Sequence, residues 1–226
     1  MAEFTGKNIL VLGGSRGIGA AIVRRFAKGG GSVAFTYSGS KAAAEALAAE
    51  TGAEAIRTDS ADRDALLVAT VAGRGALDVL VANAGTLVLG DPLTLDADAI
   101  DRMITINVNA PYHAAVEAAR KMSDDGRIIV IGSVNGDVMP FAGGAAYALT
   151  KSAVQGMVRG LARDFGARGI TVRVGAAGLQ SSGTYHTALQ ARGRIRVTSR
   201  DAGDAGRLTL AKAGLLLCLP LSIMMP

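Results

Sequence analysis

Five short apolar runs recur along the chain, at 8–12, 32–37, 79–82, 127–131 and 170–174. They are rich in Val, Ile and Leu and show no regular polar alternation, the pattern of strands covered on both faces of a parallel sheet. Between them lie stretches of helical character at 19–28, 41–50, 62–72, 96–121 and 148–167. Strand alternating with helix predicts an α/β protein built on a doubly wound parallel sheet. The rhythm stops near Val174. From Gly175 to Pro226 no period near 2 or 3.6 emerges, so the pattern divides the chain into a body, 1–174, and an atypical tail, 175–226.

Composition agrees with one globular α/β domain: 226 residues, half of them apolar, 19% charged, with 30 glycines and no tryptophan. The single cysteine, Cys218, excludes an internal disulfide framework and a clustered thiolate metal site. The first seven residues lack the charged start and long apolar run of a secretory leader, and the expected compartment is the cytoplasm. A net charge of +5 suggests nucleic acid until it is located. The tail holds six basic residues (Arg192, Arg194, Arg196, Arg200, Arg207, Lys212) against Asp201 and Asp204, which leaves +1 for the body. No basic stripe remains there for a polyanion, and no nucleic-acid partner is expected. The apolar segment 213–226 is too short to span a bilayer and contains Pro220, so no membrane partner is expected either.

The first apolar run leads into Gly13-Gly14-Ser15-Arg16-Gly17-Ile18-Gly19. Glycines at 13, 17 and 19 between a strand and a helix allow positive φ and carry no Cβ, so a pyrophosphate can lie against backbone N–H groups at the helix start. An ordinary tight turn is the alternative, but strand before and helix after supply the required context. About twenty residues on, an acid would bind an adenosine ribose. Here Tyr37, Ser38, Gly39, Ser40 and Lys41 offer no carboxylate. Arg16 in the loop and Lys41 at the next helix start are instead placed to approach a 2′-phosphate, which favours NADP over NAD; Lys41 reads equally as an exposed helix-start lysine.

Ser133 follows the run RIIVIG, and Tyr147 and Lys151 are four apart in Tyr-Ala-Leu-Thr-Lys. That spacing puts phenol and ammonium on one helical face, where a cation lowers the phenol's pKa. A half-buried tyrosine beside a solvated lysine is the alternative that this pair alone does not exclude.

Taken together, these residues resemble the short-chain dehydrogenase/reductase family. The matching elements are GGSRGIG at 13–19, Asp59, Asn83-Ala84-Gly85, Asn107 within INVNAPY, Ser133, and the Tyr147/Lys151 pair, in the family's order. The resemblance covers 1–174 and leans toward 3-oxoacyl-carrier-protein reductases and toward members that bind cyclic-di-GMP. It implies a Rossmann fold, NADP as cofactor, a small carbonyl or alcohol substrate, and a homo-oligomer, tetramer or dimer, built on helices near 109–122 and 152–167. It also implies roles. Tyr147 protonates the carbonyl oxygen, Lys151 tunes Tyr147 and holds the nicotinamide ribose, Ser133 hydrogen-bonds the substrate carbonyl, and Asn107 positions a water. Gly13, Ser15, Arg16, Gly17, Ile18, Gly19, Tyr37, Ser38, Asp59, Ser60, Asn83, Ala84 and Gly85 bind the cofactor, Asp59 and Ser60 at adenine, with Tyr147 and Lys151 at the other end. Simpler readings exist: Asn107 as a helix hydrogen-bonding residue, Asn83-Ala84-Gly85 as a turn. His113 and His186 match no catalytic position of the family, and no metal cluster is visible. Two functions follow: an NADPH-dependent carbonyl reductase, or a regulator that sequesters cyclic-di-GMP in the same cleft.

After Val174 the family places a Pro-Gly loop, a substrate lid and a last strand, none of which can be read here. Codons for Gly175-Ala176-Ala177-Gly178, read one nucleotide later, permit Val-Gln-Pro-Gly. Residues from about 175 are therefore expected to come from a shifted reading frame, with a divergent partner-binding or membrane-surface tail as the rival reading and a damaged product as a third outcome. Sequencing the gene through codon 175 distinguishes them.

Overall fold

In the computed structural model, residues 2–71 and 75–177 are described. The expected doubly wound architecture is present. Six parallel strands, β1 (Asn8–Leu12), β2 (Ser32–Tyr37), β3 (Glu54–Arg57), β4 (Leu77–Ala82), β5 (Met122–Ser133) and β6 (Thr171–Ala177), form one sheet in the order β3-β2-β1-β4-β5-β6. The helices are α1 (Gly17–Lys28), α2 (Lys41–Thr51), α3 (Arg63–Val71), α4 (Ala97–Ile104), α5 (Ala110–Lys121) and α6 (Ala145–Asp164). The chain winds outward from β1 to β3, then returns to lay β4 on the other side of β1. That reversal opens a crevice at the carboxyl ends of β1 and β4, where ligands bind in such sheets.

The uninterrupted apolar runs are explained by the two faces. Ile9 and Val11 of β1 pack with Val23 and Phe26 of α1 and Leu47 of α2. Leu10 and Leu12 point the other way, against a layer that contains Ala114 and Ala118 of α5 and Val154, Val158 and Leu161 of α6. In β5, Ile128 and Val130 belong to that second layer, Ile129 and Ile131 to the first. The alanines of α5 are fully buried, so this helix lies close against the sheet.

The structure corrects the expected elements in three places. β3 was not expected: Glu-Ala-Ile-Arg is charged at both ends because this is the sheet's edge, with two half-buried apolar residues between exposed charged ones. The single helix expected over 96–121 is two helices joined by one wide π-type turn, Thr105–Asn109, which carries Asn107. β6 runs to Ala177 and pairs Gly175, Ala176 and Ala177 with Ile131, Gly132 and Ser133. The expectations for 178–226, including Gly178, His186 and Cys218, lie outside the described residues.

Candidate functional site

The glycine loop is held from two sides. Thr36 of β2 accepts from the Gly13 N–H through Oγ1 (3.0 Å) and from the Gly14 N–H through its carbonyl (2.9 Å). Asn83 Nδ2 donates to the Gly13 carbonyl at 2.7 Å. Glycine at 13 is demanded twice: φ is +72°, and a Cβ would lie 2.7 Å from the Cα of Ala84. A Cβ on Gly19 would lie 2.6 Å from Asn83 Nδ2, so this glycine admits the strut. Gly17 also has positive φ, +56°, yet a Cβ there would meet nothing within 4 Å. It stands at the mouth of α1, whose N-cap residue Arg16 makes no side-chain cap and whose first turn holds no acid. The N-terminal N–H groups and the positive end of the helix dipole are thus left for an anion.

Beside this loop lies an open cavity of about 610 Å³, within the range of cofactor sites. Its lining includes Gly13, Ser15, Arg16, Tyr37, Ser38, Asp59, Ser60, Asn83, Ala84 and Gly85. Ten expected cofactor residues are therefore brought together. Gly17, Ile18 and Gly19 do not line it, nor do Tyr147 and Lys151; the first three form the first turn of α1, where Ile18 packs against the core, and the last two lie on α6. Lys41 does not line it either: 72% exposed, it lies 3.6 Å from Glu45 one turn on. The exposed-lysine reading of Lys41 is the one the structure supports.

The structure adds residues that sequence reasoning missed, among them Thr36, Thr58 and Arg102. Asp59 accepts from the Ala61 N–H through Oδ1 (2.9 Å) and from Arg102 Nη2 through Oδ2 (2.8 Å). These two donors, the backbone N–H first, hold its carboxyl below the usual carboxylate range. Thr36 had a legible signal, a hydroxyl inside an apolar run. Arg102, on a helix 43 residues from its partner, had none.

At the other end of the crevice, Ser133 closes β5. Its Oγ accepts from the Asn135 N–H at 3.2 Å, which leaves its O–H to donate. Tyr147 and Lys151 sit one turn apart on α6, with Lys151 Nζ 5.8 Å from the centroid of the tyrosine ring. Lys151 is not a solvated lysine. It is 7% exposed, and Nζ donates to the Ile131 carbonyl at 3.0 Å, two residues before Ser133. This bond pins α6 to the end of β5. Burial pushes the Lys151 ammonium down to about 8.

Asn107 is 2% exposed. Its Oδ1 accepts from the Thr86 N–H (2.8 Å), and its Nδ2 donates to the Thr86 carbonyl (2.9 Å) and to Thr150 Oγ1 (3.1 Å). Thr150 in turn donates to the Tyr147 carbonyl at 2.8 Å. Asn107 thereby ties the segment after Asn83-Ala84-Gly85 to the helix of Tyr147 and Lys151. A Cβ on Gly85 would come within 3.4 Å of Asn107 Oδ1 and 3.8 Å of Lys151 Nζ, which puts all three at one place. His113 lies apart, its ring 5.5 Å from that of Tyr112 on α5. Among the described residues no group of three or more His, Cys, Asp or Glu is placed to hold a metal, and no helix is long and apolar enough to cross a membrane.

A parallel sheet wound in this order, a glycine loop feeding a helix N-terminus, and a Ser, Tyr and Lys set beyond it define a nucleotide-dependent oxidoreductase scaffold. The chain belongs to the short-chain dehydrogenase family, whose profile matches residues 7–192. It is 66% identical over 174 residues to the cyclic-di-GMP-binding biofilm dispersal mediator protein of Escherichia coli K12, covering 77% of this chain and 73% of that one. It is 35% identical over 177 residues to the 3-oxoacyl-[acyl-carrier-protein] reductase MabA of Mycobacterium tuberculosis H37Rv, covering 77% of this chain and 70% of MabA. Among solved structures it is similar to BdcA in complex with NADPH, with a TM-score of 0.75 at 66% identity over 76% of this chain and 70% of that one.

Proposed function

We propose that this chain binds NADPH in the crevice at β1 and β4 and acts as a reductase of carbonyl compounds. The observation that carries the reading is an uncapped helix N-terminus beside the cavity together with the Lys151–Tyr147 pair on α6, whose buried ammonium lies 3.8 Å from the Cβ position of Gly85 in the cavity wall. The residues present fit the cofactor: the space beyond Gly17 admits a diphosphate, Arg16 lines the cavity for a 2′-phosphate, and the lining around Ser38, Asp59 and Ser60 suits an adenosine. The NADPH bound by BdcA supports the same assignment. When bound, the nicotinamide supplies hydride to a carbonyl carbon.

The chain's own residues do the rest. Ser133 donates its free O–H to the carbonyl oxygen and fixes its position. Tyr147 transfers its phenolic proton to that oxygen as negative charge develops on it, which converts the carbonyl to an alcohol. The Lys151 ammonium, held by Ile131, lowers the cost of the phenolate left behind. Asn107 holds α6 in register through Thr150. The test is a fluorescence titration of purified protein with NADPH and NADH, followed by a screen of ketones and aldehydes. Selective NADPH binding with turnover that Tyr147→Phe abolishes supports the reading, and failure to bind either nucleotide defeats it.

A second reading is favoured by the 66% identity to a protein named for cyclic-di-GMP binding: the same crevice takes a cyclic dinucleotide, and the chain acts as a regulator without turnover. Calorimetric titration with cyclic-di-GMP separates the two, because competition with NADPH is expected only if one crevice serves both.

A further inference from the structure

We propose that Arg102, on α4, is part of the nucleotide site, where it fixes the Asp59 carboxylate as the acceptor for the exocyclic amino group of adenine. The inference rests on the reading of the cavity as an NADPH site and deepens it. A dinucleotide with its diphosphate at the start of α1 and its reactive ring toward Ser133, Tyr147 and Lys151 must extend its other nucleoside toward β2 and β3. The cavity wall on that side contains Ser38, Asp59, Ser60 and Arg102. Asp59 is the one carboxylate among the described lining residues. An ionised carboxylate only accepts hydrogen bonds, and the adenine amino group is the base's donor.

Each Asp59 oxygen already accepts one bond, Oδ1 from Ala61 and Oδ2 from Arg102, which leaves each a lone pair and fixes the plane of the group. Without Arg102 the carboxylate would hang on a single backbone N–H and turn freely. Stability does not account for the pair, because both side chains are about half exposed, at 55% for Arg102 and 43% for Asp59, and exposed ion pairs contribute little. Orientation of an acceptor does account for it. Arg102 is thus a positioning residue, acting on the base through Asp59.

The test uses the full chain and two probes, NADPH and its analogue with unsubstituted purine in place of adenine, in which a hydrogen atom replaces the amino group. The wild type is expected to prefer NADPH by about tenfold or more, since a site built for an N–H donor rejects an analogue that lacks it. Arg102→Met is expected to bind NADPH about fivefold to tenfold more weakly and the analogue nearly unchanged, so that the preference collapses. Arg102→Lys, which keeps the charge, is expected to restore part of it. A variant that merely disturbed the fold would weaken both probes alike, and that result, or an intact preference in Arg102→Met, overturns the inference. Wild-type protein that binds NADPH without preference over the analogue overturns it while the cofactor reading stands. Wild-type protein that binds neither takes both down.

Discussion

The burial of Lys151 has a thermodynamic consequence that does not depend on turnover. Its ammonium is 7% exposed, faces the Ile131 carbonyl, and has its pKa lowered from 10.5 to about 8 by loss of hydration. At roughly 1.4 kcal/mol for each factor of ten in the protonation equilibrium, the folded protein carries a penalty of about 3 kcal/mol while the group is charged in both states. Below pH 8 that penalty is complete. Between about 8 and 10.5 the unfolded chain binds the proton and the folded chain does not, so stability rises with pH; above that window the penalty is gone, and roughly three quarters of it has vanished by pH 10. Lys151→Met keeps an unbranched apolar stem, one atom shorter, and removes the charge. Even after loss of the bond to Ile131, worth about 1 kcal/mol, the variant is expected to be about 1–3 kcal/mol more stable than wild type at pH 7. The assay is urea denaturation of both proteins without cofactor at steps from pH 7 to pH 10, the difference between them cancelling every other titrating group. A gap that shrinks by about 2 kcal/mol over that range is expected. A gap independent of pH would refute the reasoning, because it would mean that the ammonium is hydrated or paired in the folded state.

The glycines separate fold from ligand. Gly13→Ala forces a Cβ to 2.7 Å from Ala84 Cα at φ +72° and is expected to cost about 2 kcal/mol or more in denaturation midpoint measurements, whereas Gly17→Ala, strained but in open space, should cost about 1–2 kcal/mol and show its larger effect in NADPH titrations; the reverse order would refute the assignment. Asn107→Ala removes three hydrogen bonds of a buried side chain and leaves the Thr86 N–H without that acceptor, for an expected loss of about 2–4 kcal/mol by urea denaturation. Arg16→Ala should weaken NADPH about tenfold while barely changing NADH in parallel titrations, as expected for the loss of a charge-assisted phosphate contact; an equal loss for both coenzymes would remove Arg16 from the 2′-phosphate.

The sequence by itself determined what is local. Apolar runs that bury both faces of β1 and β5, and glycines that a strand-to-helix turn demands, are written in the neighbours of each residue, so the sheet, the loop and the helix carrying Tyr147 and Lys151 were legible. The edge strand β3 escaped because its charged residues match a strand with less to cover it, and the π-type turn at Asn107 escaped because five residues of wider winding leave the helical pattern almost unaltered. Tertiary structure alone decided which charges are buried, paired or aimed. Lys41 and Lys151 are chemically alike, yet one lies in solvent beside Glu45 and the other under Ile131, because only the second is carried against the end of β5. Asp59 meets Arg102 across 43 residues, and Gly13 meets Asn83 across 70. Such contacts arise from how helices lie on a twisted sheet, and residue spacing along the chain carries no direct record of that packing.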